Sequence, residues 1–236
     1  MTDKDKVSSV SIIIPVYNEK STILEILARV KKAETAGLKK EIVIVDDGST
    51  DGTKDILRKV NNVKVFFHDI NKGKGAAIQT GLQHARGDVV LIQDADFEYN
   101  PEEYKALLDP IVRGKATVVY GSRFAKGKLF NKNMYYLHCF GNILLTNMTN
   151  MLYFSSLKDM ETCYKIMRKD VLNGMDLKSM RFDIEPELTA KILKKGIKIE
   201  EVPISFVPRG FHEGKKINWK DGIVAAWTLI KYRFTD

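Results

Sequence analysis

Two acidic clusters, each following an apolar, β-branched run, hold the clearest chemistry in this chain. Residues 41–50, EIVIVDDGST, deliver Asp46 and Asp47 into turn residues, and residues 89–98, VVLIQDADFE, deliver Asp94, Asp96 and Glu98 together. Near-continuous apolar runs read as buried parallel strands, and open α/β sheets bind ligands beyond the carboxyl ends of such strands. Carboxylates two residues apart at an exposed strand end can meet a hard cation. Mg²⁺ usually takes one or two carboxylates plus substrate phosphates. The pattern points to a metal–diphosphate site.

The elements that must position these groups alternate through the first half. Strands are expected at 10–16, 41–47, 63–68, 88–96 and 116–124, with helices over 21–33, 53–60, 73–85 and 101–112. This β-α-β-α rhythm implies an α/β fold, a mostly parallel sheet with helices on both faces. The second half reads differently. A long segment at 134–154, rich in aromatics and methionine, is helical; ETCYKIM (161–167) is a short strand; 185–196 is a helix. Residues 197–207 read as a strand pair broken at Pro203, and a basic amphipathic segment, 217–234, closes the chain. With no repeats and no low-complexity linker, residues 10–236 form one domain behind a flexible 1–9. Within it, 10–124 carries the metal–diphosphate pattern and 125–236 is a second half that wraps the core.

Composition narrows the function classes. The 236 residues carry a net charge of +8, with 44% hydrophobic and 29% charged residues, as expected of a globular chain that favours anionic partners. Basic residues are not interleaved with aromatics on a sheet and no recognition helix appears, so nucleic acid is not an expected partner. No run approaches roughly 18 apolar residues, and the N-terminus lacks a signal peptide's apolar stretch. Two cysteines, Cys139 and Cys163, make neither a disulfide framework nor a zinc site, which fits a reduced, cytoplasmic chain. A dinucleotide-binding Rossmann domain would place G-x-G-x-x-G after the first strand, where PVYNE stands, and GKGA lacks the P-loop spacing. A receiver-type phosphoacceptor would want its acidic pair after the first strand; here the pairs follow the second and fourth.

Five motifs together, PVYNE (15–19), VDDGSTDGT (45–53), NKGKGAAIQTG (71–81), QDADFEYNPEE (93–103) and GSRF (121–124), resemble the inverting family 2 glycosyltransferases of the GT-A fold. Within that family the chain is similar to the polyprenol-phosphate (dolichol-phosphate) mannose or glucose synthases. LKDMETCYK (157–165), RFDIEPELTAKI (181–192) and EVPISFVPRGFHEGKKI (201–217) extend the likeness to about residues 9–234. The resemblance implies that Pro15, Tyr17 and Glu19 cup the nucleoside, that Asp46 accepts from base N–H groups, and that Asp47 orients its loop. It implies that Gly73 and Gly75 let the backbone approach the nucleotide, with Lys72 and Lys74 neutralising phosphate. Asp94 and Asp96 match the DxD metal motif, around an Ala95 small enough for ribose. Glu98 stands where these synthases often carry an amide, and there it can ligate Mg²⁺ or Mn²⁺ directly.

The resemblance implies a nucleotide diphosphate-sugar donor and a polyprenyl phosphate acceptor at the cytoplasmic membrane face, with 10–124 the nucleotide-sugar and metal half and 125–236 the acceptor half. A lipid monophosphate is already nucleophilic near neutral pH and mainly needs cations. Arg123 is the first candidate, and Arg209, His212, Lys215 and Lys216 form a second basic cluster. A saccharide hydroxyl, as in wall or capsule assembly, would instead need a base, for which Asp159 and Glu161 are candidates. A non-catalytic nucleotide-sugar-binding subunit would be expected to lose the metal carboxylates, and all three stand here. The closing segment places Trp219, Ile223, Ala226, Trp227 and Ile230 near one helical face. That face suits either a bilayer interface or the core, and a membrane-embedded partner subunit would serve equally.

Overall fold

In a computed structural model, residues 6–124, 136–209 and 219–235 are described. Strand β1 (Ser9–Val16) is apolar from Ile12 to Val16, where residues on both its faces are covered. It pairs in parallel with β2 (Lys39–Asp46) and with β4 (Val89–Ile92), and β2 pairs in parallel with β3 (Lys64–Phe67). The sheet has 7 strands in the order β3-β2-β1-β4-β6-β5-β7. Strand β6 (Lys165–Arg168) runs antiparallel to both β4 and β5 (Val118–Ser122), while β7 (Ile199–Pro203) is parallel to β5.

Helices α1 (Ile23–Lys32), α2 (Thr53–Leu57), α3 (Lys74–His84) and α4 (Tyr104–Val112) occur where the apolar spacing places them. In α1, Ile23, Ile26, Leu27 and Val30 fall at helical spacing and are buried together. One apolar core holds Ile12 and Ile14 with α1 and α4; a second, on the opposite face, gathers Ile92, Ile78 of α3 and the helices of the C-terminal half. Close contact on this second side depends on a missing side chain. A Cβ on Gly81 of α3 would come within 2.4 Å of Ile13 Cγ2, so only glycine lets α3 lie flat against β1. The C-terminal half supplies α5 (Tyr136–Tyr153), α6 (Ile184–Lys194) and α7 (Trp219–Phe234).

Two expectations are corrected. The strand read at 161–167 begins only at Lys165, which leaves 161–164 as a loop. The strand pair at 197–207 is a single strand ending at Pro203. Beyond it, 204–209 lies along the 98–103 loop, with Val207 N–H donating to the Glu98 carbonyl (3.1 Å) and Ser205 N–H to the Glu103 carboxylate (2.8 Å). These loop contacts take the place of a sheet ladder.

Candidate active site

The carboxyl ends of β1, β2 and β4 open onto one cavity of about 330 Å³, within the usual range of small-molecule sites. Pro15, Tyr17 and Glu19 line it from the first loop, Asp47 and Gly73 from the second and third crossovers, and Asp94, Ala95, Asp96 and Glu98 from the loop after β4. Gln93 anchors that loop. Fully buried, its side-chain carbonyl accepts from Tyr104 Oη (2.6 Å) and Tyr164 Oη (2.7 Å), and its amide donates to the Asp94 carbonyl (2.9 Å).

The tandem aspartates after β2 have separate tasks. Asp47 accepts from the backbone N–H groups of Lys72 (3.0 Å) and Gly73 (2.7 Å) and meets His68 Nδ1 at 2.7 Å, which ties the loop before α3 to the end of β2. Asp46 is fully buried behind the cavity. Its Oδ2 accepts from Ser49 N–H (3.2 Å), while Oδ1 is buried with no hydrogen-bond partner among the described residues. A buried carboxylate oxygen left in that state is costly unless a ligand N–H reaches it.

Charge pairing governs the acidic loop. Lys74, at the start of α3, lies 2.7 Å from Asp94 and 3.3 Å from Glu185 Oε1, the latter an ion-pair contact without hydrogen-bond geometry. Burial works to raise the Asp94 carboxyl, but the Lys74 ammonium, the Cys163 thiol and Arg209 together outweigh it and hold Asp94 below its usual range. Asp96 goes the other way. Burial, then repulsion from Asp94 and Glu98, pushes it up to about 7 against the attraction of Arg209. Burial raises Glu98 as well. Arg209 spans the cluster: its guanidinium pairs with Glu19 (3.1 Å) and Asp96, and its backbone N–H donates to Glu98 (2.9 Å).

These contacts revise several site expectations. Asp96 is 4% exposed and salt-bridged, so it does not sit at an open strand end. Asp94, Asp96 and Glu98 do not form a cage of their own: among the described residues no three His, Cys, Asp or Glu side chains converge on a metal position. Like charges in a sheltered loop are turned apart toward Lys74 and Arg209. Two carboxylates at one strand end still fit Mg²⁺ or Mn²⁺ when donor phosphates complete the shell. Lys72 is exposed and contributes its backbone N–H, so of the two lysines only Lys74 lines the cavity. Gly75 faces protein: a Cβ there would lie 2.3 Å from the Ser179 carbonyl oxygen, so its small size seats α3 against 179–181. Arg209 sits on the carboxylates of the donor side rather than apart at an acceptor site. His212, Lys215 and Lys216 lie outside the described residues.

Arg123 and Asp159 meet each other. Nε and Nη2 of Arg123 each lie 2.7 Å from an Asp159 oxygen, and the Arg123 backbone N–H adds a third bond at 2.9 Å. Asp159 is fully buried, with both oxygens engaged, which leaves it no lone face for a substrate proton. Glu161 lies deeper than its loop position suggests. Its Oε1 is buried without a partner among the described residues, and burial, opposed by Lys165 and reinforced by Glu185, pushes its carboxyl up to about 7.

Arg181 and Phe182 complete the wall from the segment before α6. Their signal lay in RFDIEPELTAKI, which marks the segment without showing which side chains face the cavity. Glu185, at the head of α6, lies behind Lys74 and 3.5 Å from the fully buried Lys165. Neither partner is identifiable from spacing, since both are assembled across the fold.

A mostly parallel α/β sheet with an acidic loop facing a nucleotide-sized cavity defines the GT-A class of nucleotide-sugar transferase folds. The comparisons agree. Glucosyl-3-phosphoglycerate synthase from Mycobacterium tuberculosis, crystallised with Mn²⁺, UDP and phosphoglyceric acid, superposes with a TM-score of 0.71 at 17% identity, over 96% of this chain and 79% of that one. Residues 11–175 match the family model Glycosyl transferase family 2, and the chain belongs to that family. It is 33% identical to the dolichol-phosphate mannosyltransferase of Pyrococcus furiosus, over 87% of this chain and 58% of that protein. It is 31% identical to the low-salt glycan biosynthesis hexosyltransferase Agl6 of Haloferax volcanii, over 88% and 50% respectively. The chain thus spans between half and two thirds of the length of these two relatives.

Proposed function

We infer that the chain is an inverting hexosyltransferase that moves a sugar from a nucleotide diphosphate-sugar to a polyprenyl phosphate at the cytoplasmic face of a membrane. The observation that carries this reading is the Arg123–Asp159 fork. The nearer base candidate is consumed in orienting a buried arginine, which suits an acceptor that is itself nucleophilic and needs a fixed cation. The likeness to a dolichol-phosphate mannosyltransferase favours the same acceptor.

In this reading Asp46 takes a base N–H on its unpartnered oxygen, Pro15 and Tyr17 hold the nucleoside, and Ala95 leaves space for the ribose. Lys74 and Arg209 stand ready to offset diphosphate charge. Asp94 and Asp96 would hold Mg²⁺ or Mn²⁺, which when bound supplies Lewis-acid stabilisation of the departing nucleotide. Arg123, whose side chain is 8% exposed, would offer its remaining donors to the acceptor phosphate, with Asp159 fixing the plane of the guanidinium.

A second reading has its own observation. Glu161, with one carboxylate oxygen buried and its carboxyl pushed up to about 7, has the properties of a general base for a hydroxyl acceptor. The neighbour crystallised with phosphoglyceric acid makes a phosphorylated small hydroxyl compound a natural trial acceptor. The decisive experiment offers UDP- and GDP-hexoses with Mn²⁺ and either a short polyprenyl phosphate or a hydroxyl acceptor. We expect glycolipid formation, with Glu161→Gln nearly as fast as wild type. Turnover only on hydroxyl acceptors, lost in Glu161→Gln, would overturn the lipid-phosphate reading.

A further inference from the structure

Helices α5 and α7 leave much of their outer surface apolar. Helix α5, YLHCFGNILLTNMTNMLY, contains no Asp, Glu, Lys or Arg. Its exposed positions include Phe140, Leu144 and Met151, spaced so that they fall on one side of the helix, and exposed Phe154 follows directly after its last turn. Helix α7 buries Ala225, Leu229 and Tyr232, yet exposes Trp219 (70%), Ile223, Trp227 (63%), Ile230 and Phe234. The two helices are joined at their C-terminal ends. Tyr153 Oη donates to the Leu229 carbonyl (2.7 Å), and the Arg233 guanidinium lies over the rings of Tyr153 and Phe154 at 5.9 and 5.7 Å. Buried and exposed faces of α7 are therefore both apolar. Packing in the core accounts for only one of them.

Contiguous exposed apolar surface of this kind marks an interaction site. We propose that the outer face of α5 and α7 docks on an anionic lipid bilayer, lying in its interface. The residue types fit. Tryptophan and phenylalanine favour the headgroup boundary, and Lys220, Lys231 and Arg233 flank the face with cations. The only carboxylate within α7, Asp221, is half-buried, and α5 has none. No described helix is long and apolar enough to cross a membrane, so the contact is one of lying on the surface. A second copy in a two-fold interface would set the same cations against themselves.

The inner face of α5 reaches the loop that holds Arg123. Thr146 of α5 accepts from Met160 N–H (3.1 Å), next to Asp159 in the loop that orients Arg123. The inference deepens the lipid-acceptor reading by naming the surface that meets the lipid. Its test omits polyprenyl phosphate, so that the two ideas fail separately.

The chain's 2 tryptophans, Trp219 and Trp227, both stand on this face, so intrinsic fluorescence reports on it alone. Phosphatidylglycerol vesicles should shift their emission to the blue, brominated acyl chains should quench it, and the protein should co-sediment. With three flanking cations, partition onto phosphatidylcholine vesicles should be about a hundredfold weaker. Ile223→Glu with Ile230→Glu should abolish the shift and the sedimentation while leaving the melting temperature unchanged, since both positions are solvent-exposed. No shift with anionic vesicles, or equal binding to phosphatidylcholine, would overturn the proposal. So would a blue shift that follows protein concentration without vesicles, with a dimer in sedimentation velocity, because a second copy would then cover the face.

Discussion

Among the described residues, Asp46 keeps one carboxylate oxygen buried and unpartnered at the end of β2, and Glu161 does the same beside the Arg123–Asp159 fork. Such groups persist where binding or chemistry repays their cost. For Asp46 the expected repayment is a charge-assisted hydrogen bond to the donor base. Asp46→Ala should weaken nucleotide affinity by about 1.5–3 kcal/mol in calorimetry, and unchanged affinity would leave it a purely structural residue. For Glu161 the consequence is a pH dependence of stability. Its carboxyl is raised from 4.5 to about 7 by burial, so between those values the unfolded chain loses this proton while the folded chain keeps it. Folding stability therefore falls as pH rises through that window, by roughly 3 kcal/mol from this group, and levels off above it. Glu161→Gln should remove the fall: urea midpoints at pH 5 and pH 8 should differ less in the variant than in wild type. Equal slopes would contradict the burial of the charge.

At the scale of elements, α3 and the segment before α6 act as one wall. Gly75 lets the first turn of α3 approach the backbone at 179–181, and that segment leads directly into Arg181 and Phe182 of the cavity. Gly75→Ala would place a methyl 2.3 Å from a carbonyl oxygen, which the backbone must relieve by moving. A stability loss of about 1–3 kcal/mol is expected. Donor affinity should fall with it, although Gly75 need not touch the nucleotide. Preserved affinity in a destabilised Gly75→Ala would show that the wall moves without reshaping the cavity. The same logic applies to the fork between β5 and the 157–163 loop. Asp159→Ala strands a buried guanidinium and should cost about 3–5 kcal/mol in chemical denaturation, several times an exposed pair.

Over the whole molecule, the cavity is closed by parts distant in sequence, since Arg209 returns from beyond β7 to Asp96 and Glu19. Ligand binding should stabilise the entire domain, by about 2.7 kcal/mol at a hundred times Kd. With UDP or GDP, Mn²⁺ should raise the melting temperature further, and Asp96→Ala should abolish that Mn²⁺-dependent increment. An undiminished increment in the variant would remove Asp96 from the metal site.

The sequence by itself determined the alternating strands and helices, the mostly parallel sheet, and the acidic loops at the ends of β2 and β4. Each rests on local information: an apolar run buried on both faces, a helical repeat, a turn dipeptide. The motif set likewise marked the family, which the matched residues 11–175 bear out. Tertiary structure alone decided which charges meet. Arg123 and Asp159 are 36 positions apart, and Arg209 and Asp96 are 113 apart, so no spacing rule connects them. The return of 204–209 along the 98–103 loop brings Arg209 to Asp96, and in a sheltered site each charge turns to the opposite charge it can reach. It was also the docking of α7 on α5 and α6 that chose its buried face. That left Trp219 and Trp227 outside, because a helix apolar on two sides can bury only the one its neighbours cover.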